Sequence, residues 1–305
     1  MGAATEGSSW APPAADVIVP LEELALHWRV SEVIVRCRRP KGFDDGWTFT
    51  GRVRGAFGYA LIDGAQARLR SLRALPAAYR LLFSLPPPAP VSTGPFYVPP
   101  TRPFVLFATG AGTELTVTLR LYGYAAAWLL ESRAALVAAL RGGVTVAPGA
   151  RARARLEVLG AETRQVPRPD AAVDPREAMI VFDSPACFAR GAAQAVGLET
   201  LLGSLFGRLA GVAAWHGIAL DADHEALADA AERVRLDASR LRPAAWERIA
   251  VAQGGRRIPM VGVLGSLWLS GPLGPLAPAL ALAPTAHLGS HTAFGMGRCQ
   301  VVLLD

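Results

Sequence analysis

Between Leu24 and Leu159 the hydrophobic periodicity switches between two and about 3.6 residues in an order that few folds accept. The β-branched residues Val30, Val33, Ile34 and Val35 predict a first strand over 24–38. Thr50 then precedes the spacing of Val53, Phe57, Ala60 and Leu61, which reads as an N-capped helix. A proline-rich stretch, 86–103, is expected to be a surface loop. Strands over 104–108 and 115–122, a helix over 124–141 and a strand over 151–159 complete a βαββαβ order, the ferredoxin-like topology shared by RNA-recognition modules. In the last strand Arg151, Arg153 and Arg155 would share one face, either solvated or in contact with RNA.

A polar, proline-bearing linker over 161–175 separates a second half with the same order. It reads as a strand over 179–182, a helix over 191–215, a helical insertion over 223–239, a hairpin of 246–252 and 258–269, a short helix over 275–286 and a last strand over 299–304. The fold class expected is α+β, two tandem ferredoxin-like (RRM-like) domains with a C-terminal glycine-rich loop. Residues 1–20 would form a flexible tail, 21–165 the first domain and 176–305 the second. At 305 residues each half can build its own core.

The loop before the last strand reads HLGSHTAFGMGR, His287 to Arg298. Gly289, Gly295 and Gly297 tolerate positive φ and would let backbone approach a ligand closely, while His287, His291, Thr292 and Arg298 supply donors, an imidazole and a guanidinium. The chain carries a net charge of +6 and a pI near 9.8, which favours anionic partners. Its one lysine is Lys41, so arginine, which stacks on bases and grips phosphate, provides nearly all the positive charge. A GC-rich genome would explain that composition equally well. More telling is a crowd of cations between Arg29 and Arg80, opposed by few acids.

Several chemistries are disfavoured. Neither GxGxxG before a helix nor GxxxxGK(S/T) occurs, so no nucleotide cofactor is expected, and no serine sits in a GxSxG elbow. His287 and His291 are four residues apart, but Gly289 between them and the lack of a glutamate argue against a zinc helix; no metal is expected. Cys37, Cys187 and Cys299 are too scattered for a disulfide framework and fit a reducing cytoplasm. The N-terminus lacks the basic and apolar regions of a signal peptide, and the uncharged stretch 258–286 is too punctuated by proline and glycine to span a membrane. His27, His216 and His224 each fit a structural role better than a functional one.

The terminal loop resembles the glycine-rich loop of the RAMP superfamily, and within it that of the CRISPR repeat-processing endoribonucleases, the sixth Cas protein in the usual naming. GRVRGAFGYAL (51–61), FDSP (182–185) and the segment Trp246 to Gly265 are similar to three further family motifs, in the same order. The resemblance implies metal-independent cleavage of CRISPR repeat RNA (pre-crRNA), in which a 2′-hydroxyl attacks the adjacent phosphate and leaves a 2′,3′-cyclic phosphate. Partners would be the repeat RNA and other Cas effector subunits. Relatives frequently carry a histidine at the start of the first helix; here Phe49 to Arg54 has none and the region offers Lys41, Arg52, Arg54 and Tyr59. The expected catalytic set is His291, Lys41 and Tyr59, with Arg52, Arg54, His287, Gly289, Thr292, Gly295, Gly297 and Arg298 on RNA. His291 is preferred over His287 because glycine-bearing turns flank it, whereas His287 either orients the loop or contacts RNA. A non-cleaving RNA-binding subunit of the same superfamily is the alternative, and a protein-only scaffold a third class.

Overall fold

The computed structural model describes residues 17–40, 46–68, 75–84, 98, 101–147, 150–169, 174–188, 196–250 and 255–304. The first half contains β1 (Val30–Arg38), α1 (Trp47–Arg68), β2 (Phe104–Ala111), β3 (Glu114–Tyr122), α2 (Leu129–Gly142) and β4 (Val158–Gln165). Its antiparallel sheet has the order β2-β3-β1-β4, with Val35 opposite both Val117 and Ala161. The second half contains β5 (Glu177–Ala186), α3 (Leu198–Ala213), α4 (His224–Arg233), β6 (Leu241–Ala250), β7 (Arg256–Ser270), α5 (Ala277–Ala286) and β8 (Cys299–Leu304). There β7 lies between β6 and β5, β8 pairs with the other edge of β5, and Arg235–Asp237 joins the far end of β7. Both sheets thus have the ferredoxin-like order expected.

The differences are local and have physical causes. The first strand begins at Val30 because Leu24–His27 forms a helical turn that buries Leu24 and Ala25. Val17–Pro20, assigned to the tail by sequence, pair in parallel with Ile218–Asp221. Thr50 is not a cap: α1 starts at Trp47, and Thr50 is buried within its first turn. The helix presents Phe49, Val53, Phe57 and Leu61 to the core at four-residue spacing. The arginine row is not on the fourth sheet strand, which starts at Val158; Arg153–Ala154 forms a two-residue ladder with Val144–Thr145 instead. The uncharged stretch folds as most of β7 followed by α5, and among the described residues no helix is long and apolar enough to cross a membrane.

One hydrophobic cluster runs through both halves, and a polar joint locks them. The last carbonyls of α5 have no partner within the helix. Arg120 Nη1 donates to the Pro284 carbonyl at 2.7 Å, Tyr122 Oη to Thr285 at 2.7 Å and Arg208 Nε to Ala286 at 2.9 Å. Arg120 is held in turn by Glu32, a fully buried carboxylate on β1 that also accepts from Arg164 at 2.7 Å. The first sheet therefore caps a helix of the second half, which fixes where the following loop emerges.

Candidate nucleic-acid interface

That loop joins α5 to β8 and is pinned from both sides. Leu288 N donates to the Gly297 carbonyl at 2.8 Å, Ser290 N to Cys187 at 2.8 Å and Gly297 N to Pro185 at 2.9 Å. Ser184, from the FDSP segment, donates its hydroxyl to the Gly295 carbonyl at 2.7 Å and accepts from Arg298 N at 2.8 Å. All three glycines have positive φ, but they admit protein rather than ligand. A Cβ on Gly289 would lie 2.6 Å from the Cys187 carbonyl oxygen, and one on Gly295 would lie 2.8 Å from that of Leu106. In the folded chain Gly289 and Gly295 let the loop press onto Cys187 and β2, and Gly297 lets it close on its own Leu288.

Two histidines in this loop are the non-glycine residues with positive φ among those described, His287 at 63° and His291 at 61°. Such geometry costs about 1–3 kcal/mol and persists only where the surroundings impose it. His287 is fully buried. Its Nδ1 faces the Met296 carbonyl at 3.3 Å, its Nε2 has no partner, and burial followed by the charges of Arg120 and Arg208 holds its pKa well below the ordinary value. It cannot reach RNA as placed, and neither can Thr292, which is buried in the 3₁₀ turn Thr292–Phe294. Arg298 is half-buried beside Asp183, 3.4 Å away.

His291 stands exposed at the rim of the loop. Its ring meets Phe294 edge to face at 6.3 Å, and desolvation followed by the Arg248 charge lowers its pKa. A neutral imidazole, a proton acceptor, is thereby favoured near pH 7. Phe294 is the hub of the site. Arg54 lies over its ring at 4.4 Å and Arg248 at 4.7 Å, while Arg54 also contacts the rings of Phe83 at 4.8 Å and Phe104 at 5.9 Å. Desolvation, then Arg102 and Arg248, pushes the Arg54 pKa down to about 10, and desolvation lowers those of Arg102 and Arg248. Among the described residues neither Arg54 nor Arg248 has a carboxylate partner, and the Nε of each is buried without an acceptor. Like charges gathered on an aromatic ring without a counterion favour an anion.

The cluster borders a groove of about 720 Å³ between α1, the β6–β7 hairpin and the Val144–Ala154 ladder. Arg52 and Tyr59 line it, as do Arg151 and Arg153 from the displaced arginine row. Lys41 falls outside the described residues. Arg52 and Tyr59 thus line the groove, Arg54 and His291 meet at Phe294 on its border, and His287 and Thr292 are buried apart from both. Sequence reasoning missed Arg248, Phe294 and Trp47. Arg248 was findable, since it stands two residues after Trp246 and so on the same strand face; the role of Phe294 depends on long-range packing that no local pattern encodes.

Residues 180–299 match the family model of the CRISPR-associated endoribonuclease Cas6. No curated protein matches the chain in sequence. Among solved structures, a Cas6 product complex is 17% identical with a TM-score of 0.53, and a Cas6 bound to a substrate mimic is 18% identical with a TM-score of 0.51. Thermus thermophilus Cas6 is 14% identical, also with a TM-score of 0.51. Each comparison covers 90% of this chain and 99% of the other. At these identities the likeness concerns the fold, which extends the match beyond the C-terminal half. The C-terminal part of the chain, residues 180–299, thus matches the Cas6 family model, and the two-sheet fold of the whole chain is similar to that of solved Cas6 structures.

Proposed function

We propose that the protein is an endoribonuclease that binds CRISPR repeat RNA and cleaves pre-crRNA by attack of a 2′-hydroxyl on the adjacent phosphate, giving a 2′,3′-cyclic phosphate and a 5′-hydroxyl without a metal ion. The family model describes endoribonucleases, and similar folds have been solved as product and substrate-mimic complexes. The observation that carries the reading is the anion-seeking cluster of Arg54 and Arg248 on Phe294, with His291 beside it. The reaction needs a base for the 2′-hydroxyl, a proton for the leaving oxygen and positive charge at the phosphate. His291, neutral near pH 7, suits the base, and the imidazolium it becomes can return the proton to the leaving oxygen. Arg54 and Arg248 hold the phosphate, Arg52 and Tyr59 flank the path of the strand, and Lys41 is a further candidate for proton transfer. Arg298 supplies charge near the loop, and Gly289, Gly295 and Gly297 position His291.

Single-turnover cleavage of repeat RNA at saturating protein tests the assignment. His291→Ala is expected to lose about a hundredfold or more in rate while keeping much of its RNA affinity. A rate equal to wild type would make His291 a bystander.

A further inference from the structure

The groove contains two indoles that phosphate binding leaves unused. Trp47, the first residue of α1, and Trp246, on β6, meet edge to face with centroids 6.0 Å apart and planes at 67°. They come from opposite halves of the molecule, and both line the groove wall. Trp47 is 38% exposed, whereas Trp246 rests on the apolar cluster of Met260, Met296 and Cys187. In an edge-to-face pair neither ring covers both faces of the other, and both indoles border the groove. The surrounding charge identifies that group's carrier. Arg52, Arg151, Arg153 and Arg248 line the same groove, whereas its acids are Asp63 and Glu247, the latter already paired with Arg257 at 2.7 Å. Aromatic rings bordered by arginines fit an unstacked nucleotide, whose base is planar and whose backbone is anionic. The volume, about 720 Å³, is ample for one.

We infer that Trp47 and Trp246 form a stacking platform for one unpaired base of the bound RNA, with its phosphates on the arginine side. The inference rests on the reading of the groove as an RNA site. Because every base has a π face, such a platform selects an unpaired nucleotide at one position rather than a particular base. It also ties the two halves of the protein together through the RNA.

The experiment is an abasic scan of the cognate CRISPR repeat RNA, with affinities measured for wild type, Trp47→Leu, Trp246→Leu and Trp47→Phe. Removal of the base at one or two adjacent positions is expected to weaken wild-type binding about tenfold, while exchanging that base for any other leaves affinity nearly unchanged. The leucine variants should bind intact RNA about tenfold more weakly and no longer respond to the abasic site; the phenylalanine variant should keep the response. Trp47→Leu alters a half-exposed side chain, and the wild-type scan needs no variant, so misfolding of Trp246→Leu leaves the test standing. A flat abasic profile with tight wild-type binding, or an unchanged profile in folded Trp47→Leu, overturns the platform alone. Failure of wild type to bind the repeat overturns the RNA reading together with it.

Discussion

The Arg54 guanidinium sits 4.4 Å from the centroid of the Phe294 ring, joining the first helix of the N-terminal half to the glycine-rich loop of the other half. Arg248 reaches the same ring at 4.7 Å. Cations drawn together in this way repel one another and lose hydration, as the lowered pKa of Arg54 records. A phosphate would offset both costs.

Replacing Arg248 with methionine keeps most of its apolar stem and removes one charge. RNA affinity is expected to fall, and the dependence of log affinity on log salt to become shallower by about 0.7 for each phosphate no longer neutralised. Fluorescence anisotropy between low and physiological salt measures both. An unchanged slope in the folded variant would place Arg248 away from the bound RNA.

The same variant should raise the His291 pKa, since the Arg248 charge is the second cause of its depression after desolvation. In wild type the imidazole titrates below its ordinary value near 6.5. If it acts as a base, cleavage should rise with pH through that lowered value, and in Arg248→Met the rising limb should move to higher pH. NMR titration of the imidazole and a single-turnover pH profile check this; a limb that stays put contradicts it.

Stability should also depend on pH. His216, His287 and His291 all have folded pKa values below the ordinary one, each chiefly through desolvation. The unfolded chain therefore binds more protons than the folded one at acidic pH, so stability is complete above about pH 6.5 and is lost progressively as pH falls below it. Denaturant unfolding at pH 7.5, 6.0 and 5.0, values chosen at roughly even intervals across the ordinary imidazole range, should give decreasing stability. His287→Phe should reduce the pH dependence. Equal stability across the range would argue against imidazoles held neutral by the fold.

Glu32→Ala leaves the Arg120 guanidinium, which is largely shielded and serves the end of α5, without its carboxylate. Breaking a buried pair from one side costs about 3–5 kcal/mol, and equilibrium unfolding should show a loss near the lower figure because Arg164 is mostly exposed. A change within about 0.5 kcal/mol, typical of an ordinary surface site, would mean that the joint between the halves does not depend on this carboxylate.

The order of strands and helices was legible where an apolar period survives in the structure, as in β8, which begins and ends where the sequence places it, at Cys299 and Leu304. The fourth strand, expected over 151–159, instead runs from Val158 to Gln165, into the expected linker, with no apolar alternation to mark it. Boundaries were less legible where tertiary contacts override local signals. Thr50 has the chemistry of a cap but is buried in α1, with its side chain set against the Gly295 position. Arg52, Arg54, Tyr59 and His291 were candidates from composition and motif; the fold puts the first and third on the groove wall and the other two against Phe294. The glycines were legible as glycines but not by purpose, because only the fold reveals that Cys187 and Leu106, rather than RNA, occupy the space a Cβ would need. His287 has the same residue type as His291, and its burial follows from Arg120, Tyr122 and Arg208 gathering at the end of α5, contacts between residues distant in sequence.

The most direct measurement is incubation of the purified full chain with cognate repeat RNA in excess EDTA, with the products resolved and their ends identified. Cleavage at one position within the repeat, leaving a 2′,3′-cyclic phosphate and a 5′-hydroxyl, is the predicted result. Tight, specific binding of the repeat with no product after prolonged incubation would contradict the account and identify a binding subunit in place of a nuclease.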